Sequence, residues 1–261
     1  MVGECSAGCA TRSPASDHVG DPLFLLDALA DPLPEVGRAV LLDGAEGRHA
    51  AVVRRIQPGE TVLVGDGRGR AVRGAVSEVS KNSLVITVAE QVVTAAPVRR
   101  YVAIQALPKG DRAELAVEML TEVGAAEIIP WQAERSIVRW SGERGEKGLA
   151  RWRSTAKEAA KQSRRLHVPV VRESVNTGQL LRAVPEADLA LILHEDASDP
   201  LWTVDLPDRG TVMIIIGPEG GIAPAELNDL VAAGARPVLI SDGILRTSTA
   251  GVVALAVLTS R

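Results

Sequence analysis

The chain has 261 residues, 46% hydrophobic and 24% charged, with 29 lysines and arginines against 33 aspartates and glutamates; this excludes wholesale disorder and leaves apolar side chain for one large domain or, the better fit, two modest ones. The longest apolar run, 250–258 with one glycine inside it, is far short of the roughly 18 residues of a membrane-spanning helix. The first twenty residues carry Glu4, Asp17, prolines and serines where a signal peptide has an apolar block, so a cytoplasmic protein with a disordered leader over residues 1–20 is expected.

Cys5 and Cys9 fall in that leader, a single pair too small for a zinc site or a disulfide framework. Aromatic residues are few: Phe24, Tyr101 and four tryptophans. RNA binding here has to rest on charge and shape more than on stacking platforms.

A short strand is expected at Leu23–Leu26. From Ala39 to Val88 short β-prone runs (Ala39–Leu42, Thr61–Val64, Ala71–Val76, Leu84–Val88) alternate with turn signals and with a polar link through Arg48 and His49, which predicts a small β-barrel over residues 21–90. Residues 91–99 read as a linker. Beyond it strands alternate with helices, the mark of an α/β domain over 100–261. Tyr101–Leu107 is a strand, and Asp111–Val123 a helix with Leu115, Met119, Leu120 and Val123 on one stripe and Gly124 at its end. Ile128 and Ile129 begin a strand that Pro130 interrupts. Lys147–Arg165 is a helix with Leu149, Trp152, Ala156, Ala159 and Ser163 inward, leaving Arg151, Lys157, Lys161, Arg164 and Arg165 for water or a ligand. Leu189–Leu193 and Val212–Ile216 are apolar enough to be central parallel strands. Pro224–Ala233 is a helix, Val238–Ile240 a strand, and Ser248–Leu258 a closing apolar helix capped by Ser or Thr.

The charge is unevenly spread. Arg144–Arg172 holds nine lysines and arginines against two glutamates, and Arg48–Arg73 holds six arginines against Glu60 and Asp66. Two basic islands in an otherwise acidic chain suit contact with a polyanion.

Ligands of open α/β sheets bind beyond the carboxyl ends of the strands. Three loops there have unusual text: His194-Glu195-Asp196, Gly217-Pro218-Glu219-Gly220-Gly221, and 241–249 with Ile244-Leu245-Arg246-Thr247 inside it. The glycine loop lacks the Lys-Ser/Thr of a phosphate-binding loop and the spacing of a dinucleotide fingerprint, and it puts Glu219 where a phosphate needs an amide or a cation. A ligand with a ribose, an amino group and a positive centre fits better, and S-adenosylmethionine has all three without a phosphate. A plain strand-to-helix turn is the other reading of that loop.

Taken together, Leu107-Pro108-Lys109-Gly110, Thr121-Glu122-Val123-Gly124, Arg135-Ser136, Arg151-Trp152, the run Glu158 to Arg165, Val168-Pro169, His194-Glu195, Gly217 to Gly221 and Ile244-Leu245-Arg246-Thr247 resemble, in order, the RsmE family of ribosomal RNA methyltransferases. The resemblance spans about residues 39–258. It implies an α/β fold of the SPOUT class, a parallel-sheet domain with a trefoil knot near its C-terminus, preceded by a PUA-like β-barrel. It also implies a homodimer joined through the knotted domain, S-adenosylmethionine as methyl donor, and N3 of one uridine of 16S rRNA in the small subunit as acceptor, with no metal and no membrane. The family usually has Leu-Gly where Ile240-Ser241 stand, Glu-Thr-Ala where Ser248-Thr249-Ala250 stand, and an arginine-aromatic start to the barrel where Leu23-Phe24 stand.

The resemblance assigns His194, Glu195, Gly217, Pro218, Glu219, Gly220, Gly221, Ile240, Ser241, Ile244, Leu245, Thr247 and Thr249 to the cofactor. Arg246 is the candidate to stabilise negative charge on the uracil ring, with a salt bridge to Glu219 or a helix terminus as its alternative role. Glu219 either orients Arg246 or holds the cofactor, and is too weak a base to deprotonate N3 unless its pKa is raised. Arg54, Arg55, Arg68 and Arg70 on the barrel, and Lys161, Gln162, Arg164 and Arg165 on the α/β domain, are the expected RNA contacts. Two alternatives stay open: a SPOUT enzyme acting on a ribose 2′-hydroxyl or another base, and a non-catalytic ribosome-assembly factor.

Overall fold

The computed structural model describes residues 20–261, so Cys5, Cys9 and the expected leader lie outside the described residues, Gly20 apart. The chain forms two compact units that part between Ala95 and Ala96.

In the first unit, β1 (Leu23–Leu25), β2 (Ala39–Leu42), β3 (Thr61–Gly65), β4 (Arg70–Val79) and β5 (Leu84–Val93) form one sheet in the order β1-β3-β4-β5-β2. Only β1 and β3 run parallel. Side chains alternate along the strands, and the inward set, including Phe24, Leu42, Val62, Val64, Val72, Leu84 and Ile86, makes a single core. The expected polar link through Arg48 and His49 is instead helical, α1 (Gly44–Arg48) running into a π-helical turn over His49–Val53; Ala50 is its apolar anchor, fully buried in the core. The linker is also shorter than expected, because β5 stays paired with β4 as far as Val93 opposite Arg70.

The β4–β5 ladder slips register between Arg73 and Gly74, where a β-carbon on Gly74 would sit 2.2 Å from the Thr87 carbonyl oxygen. The obstacle is backbone and cannot swing aside, so Gly74→Ala should destabilise the first unit by about 1–3 kcal/mol. Urea titration followed by circular dichroism reads this as a lower midpoint.

The second unit is built on β6 (Arg99–Ala106), β7 (Glu127–Gln132), β8 (Val170–Val171), β9 (Val175–Asn176), β10 (Leu189–Leu193), β11 (Gly210–Ile216) and β12 (Arg236–Val238), every pair parallel. The order β12-β10-β11-β6-β7-β8, with β9 also on β7, puts the first strand of the unit in the middle of the sheet. The helices are α2 (Arg112–Glu122), α3 (Gly142–Gln162), α4 (Thr177–Ala183), α5 (Pro224–Ala232) and α6 (Thr247–Thr259). Tyr101, Ala103, Ile214 and Ile216 face one core with α2, α3 and α6. Val102, Ile104, Met213 and Ile215 face the other with α4 and α5. Strands buried on both faces explain the continuous apolar runs.

Pro130 does not end its strand. Ala126 and Ile128 accept hydrogen bonds from Val170 and Arg172 on the β8 side, while Trp131 accepts from Leu107 on the β6 side. Backbone groups of even-numbered residues therefore face β8 and β9. β8 pairs with Glu127 and Ile128 and β9 with Trp131 and Gln132, so the nitrogen of Pro130 falls at the gap between them, where no donor is needed. Two further boundaries shift. The long helix starts at Gly142 and stops at Gln162, and β12 ends at Val238, leaving Ile240 in the following loop.

Candidate functional site

Because β6 lies between β11 and β7, the loops after β6 and β11 leave the sheet side by side, the place where open α/β sheets bind ligands. They touch: the Lys109 amide donates to Glu219 Oε1 at 3.1 Å. The loops after β10 and β12 join them around a cleft of about 810 Å³.

The β10 loop contributes His194 and Glu195, the β11 loop contributes Gly217 to Gly221, and the last loop contributes Ile244, Leu245, Arg246 and Thr247. Three expected cofactor residues do not line the cleft. Ile240 packs against the core beneath α2 and α6. Ser241 Oγ accepts from the Gly243 amide at 3.1 Å, shaping its own turn. Thr249 lies in the first turn of α6, its amide bonded to the Arg246 carbonyl.

The glycine loop is a tight turn, with the Gly221 amide donating to Pro218 O at 2.9 Å and Gly221 at φ 72°, a conformation that favours glycine. A β-carbon on Gly217 would meet Ile222 Cγ1 at 2.8 Å. The loop thus presents bare backbone to the cleft, walled by Leu193, Ile216, Ile222 and Leu227.

Under the cleft floor a polar chain crosses three elements. Gln105, fully buried at the end of β6, donates to Thr247 Oγ1 at 3.0 Å, and Thr247 Oγ1 donates to the Gly217 carbonyl at 2.6 Å. Nothing in the family text singled out Gln105; its signal was a lone amide in the otherwise apolar strand Tyr101–Leu107. The structure also adds Arg112 and Arg135 to the cleft wall, Arg135 reaching the Gly220 carbonyl at 3.3 Å. Glu226 holds Arg135's loop in place, accepting from the Glu134 amide at 2.9 Å and from Thr177 Oγ1.

Arg246 is exposed at the cleft mouth, and among the described residues it has no carboxylate partner and no hydrogen bond; Glu219 is engaged by Lys109 instead. His194 Nδ1 accepts from the Asp196 amide at 3.2 Å, a loop-shaping bond. Among the described residues no group of three His, Cys, Asp or Glu side chains could hold a metal ion.

The expected RNA contacts divide. Arg54, Arg55 and Arg68 on the first unit and Gln162 and Arg164 on the second are exposed. Arg70 pairs with Asp31 at 3.1 Å. Lys161 and Arg165 do not lie on a free helix flank as expected. The Lys161 side chain is only 9% exposed and pairs with Glu158 at 2.7 Å. Arg165 donates to the Glu122 carbonyl at 2.7 Å and packs over Gly124, and burial lowers its pKa.

The cleft fits S-adenosylmethionine on its own chemistry. Bare glycine amides and carbonyls, apolar walls, and the carboxylates of Glu195, Asp196 and Glu219 suit an adenosine with a cationic sulfonium and an ammonium group. Comparisons agree with this reading. A model of an RNA methyltransferase domain matches residues 94–259, and one of an RNA methyltransferase PUA domain matches residues 42–89. Ribosomal RNA small subunit methyltransferase E of Mycobacterium tuberculosis is 45% identical over 239 residues, covering 88% of this chain and 91% of that protein. The Bacillus subtilis protein of the same name is 32% identical over 224 residues, covering 82% and 87%. Among solved structures, the methyltransferase E of Neisseria gonorrhoeae bound to S-adenosylmethionine superposes with a TM-score of 0.82 at 28% identity, covering 92% of this chain and 97% of that one. A Legionella pneumophila methyltransferase in complex with the same cofactor gives 0.81 at 27% identity, with the same coverages.

Proposed function

This chain belongs to the ribosomal RNA small subunit methyltransferase E family, and from that premise we propose that it methylates N3 of one uridine of 16S rRNA in the small ribosomal subunit, with S-adenosylmethionine as donor. The observation that carries the proposal is the convergence of three strand-end loops on one cleft with an unpaired arginine at its mouth. S-adenosylmethionine, when bound, supplies a methyl group made electrophilic by the sulfonium. The glycine loop and Glu195 hold it, Glu219 keeps the β11 loop against the β6 loop, and the apolar walls exclude water from the reacting end.

Uridine N3 is a poor nucleophile while it keeps its proton, and its anion spreads negative charge over the ring and the flanking carbonyls. Arg246, cationic at every working pH, stabilises that anion in a cleft where no competing carboxylate neutralises it. Arg54, Arg55, Arg68, Gln162 and Arg164 hold RNA phosphates.

The proposal includes a threaded C-terminal segment. Hydrogen bonds between Leu239 and both Asp199 and Leu201 lay the chain after β12 along the segment that follows β10, before it returns to Gln105 through Thr247. It also includes a homodimer joined through this domain. α6 is apolar on every side, yet Ala256 is exposed and Val252, Val253 and Val257 are only partly covered; Leu115 on the adjoining α2 is 44% exposed and Ile244 at the cleft rim 86%. A second copy covering this face completes the burial. Sedimentation should therefore give twice the 27.5 kDa chain mass, and Leu115→Glu should shift it to the monomer.

With its substrate the enzyme works in the cytoplasm. Nucleoside mass spectrometry of rRNA from a deletion strain tests the function: N3-methyluridine should vanish and return with the plasmid-borne gene. Loss of a 2′-O-methyl nucleoside instead would move the target to a ribose, and absence of S-adenosylmethionine binding by calorimetry, with and without RNA, would make the chain a non-catalytic factor.

A further inference from the structure

A second cavity, of about 300 Å³, opens between α2 and α3 and is lined by Pro108, Gly110, Trp140, Arg144, Lys147 and Arg151 among others. It shares the loop 107–110 with the methyl-donor cleft, since the Lys109 amide in that loop bonds Glu219. The two spaces therefore lie on either side of one short wall.

The cavity has been made at a cost to α3. Gly142, Gly145 and Gly148 weaken the first two turns of that helix. The last two make room for Trp140: a β-carbon on Gly148 would come within 2.6 Å of the indole at Cε2, and one on Gly145 would meet Trp140 at 3.3 Å. The Trp140 ring thus rests on helix backbone, held edge-to-face on buried Trp152 with centroids 5.2 Å apart, while its own amide is fixed by Gln132 Oε1 at 3.0 Å. Arg144 and Lys147 stand in the first two turns of α3, the end at which the helix dipole disfavours cations. Arg144 is exposed and, among the described residues, has no ion-pair partner; Lys147 pairs only with exposed Glu143, and Arg151 with Glu114. Exposed pairs of this kind hold their partners weakly. Neither the glycines nor the cations serve the helix, but both serve a ligand that joins a flat ring to a negative charge.

We propose that this cavity is a nucleotide subsite for the substrate RNA, taking a nucleotide that flanks the methylated uridine, its base against Trp140 and its phosphate on Arg144 and Lys147. The inference rests on the RNA methyltransferase reading above. A flanking nucleotide held across the wall from the cleft fixes the strand so that the target base is delivered to the donor.

The test uses the full chain and small subunits from a strain lacking the enzyme. Arg144→Ala/Lys147→Ala, which replaces exposed helix residues by the best helix former, should raise KM for subunits about tenfold or more, keep kcat and S-adenosylmethionine affinity, and flatten the slope of log KM against log salt by about 1.4, roughly 0.7 for each lost phosphate contact. Arg153→Ser, on the same helix but paired with Glu173, should leave KM and slope unchanged. Independently, 5-bromouridine-substituted 16S rRNA should cross-link to Trp140, read by peptide mass spectrometry. An unchanged KM and salt slope in the double variant, or cross-links that avoid Trp140, would overturn the subsite while wild-type methylation persists. Loss of wild-type methylation on the same subunits would strike the functional reading itself.

Discussion

Arg246→Ala should lower kcat by about 10²–10³-fold or more while S-adenosylmethionine affinity stays within about threefold of wild type. The asymmetry follows from position. Arg246 stands at the cleft mouth, exposed and without a carboxylate partner, so removing it breaks no protein contact that shapes the glycine loop. What disappears is the charge facing a developing uracil anion. Single-turnover methyl transfer separates this from binding, and calorimetry measures the cofactor alone. Arg246→Lys should recover only part of the rate, because a compact ammonium cannot span the ring nitrogen and a flanking carbonyl as a planar guanidinium does. If both affinity and turnover fell together, Arg246 would be a cofactor ligand instead.

Thr247→Val should act the opposite way, through the floor of the site. The substitution keeps shape and removes one hydroxyl, the link between buried Gln105 and the Gly217 carbonyl. Gln105 keeps its bond to the Ala106 carbonyl at 3.0 Å, but its Oε1 already lacks a partner, and the Gly217 carbonyl loses its donor. Leaving such groups unpaired costs about 1–3 kcal/mol, or roughly 3–10 °C in Tm for a domain of this size. Since Gly217 begins the glycine loop, the same loss should weaken S-adenosylmethionine binding by about 5- to 100-fold. Thr247→Ser keeps the hydroxyl and should restore both. A Thr247→Val protein with unchanged cofactor affinity would show that the loop holds its shape without this chain of bonds.

Most of the site was legible because loop chemistry is written in consecutive residues. Gly217 to Gly221 and Ile244 to Thr247 are contiguous, and strand-end position sends them to one place. Gln105 was hidden because its partner is 142 residues away in sequence, and periodicity carries no such information. The strand through Pro130 was hidden for a similar reason. Whether a proline ends a strand depends on whether a neighbour needs its N–H, and here that neighbour is a gap between two short strands. The start of α3 was obscured by glycines that low helix propensity argues against; Trp140, packed on them, supplies the reason. Lys161 and Arg165 read as free cations on a basic flank, yet Glu158 and the carbonyl of Glu122 occupy them. Charge counts along a chain do not reveal partners in space. The family resemblance supplied what no residue pattern does: the identity of the acceptor atom.

The account stands or falls on methyl transfer in vitro. Purified protein, small subunits from a strain lacking the enzyme and tritiated S-adenosylmethionine should yield one tritiated methyl group per subunit, recovered after nuclease digestion as N3-methyluridine. Label recovered on a ribose or another base, or no label on subunits that the Mycobacterium tuberculosis relative does methylate, would contradict it.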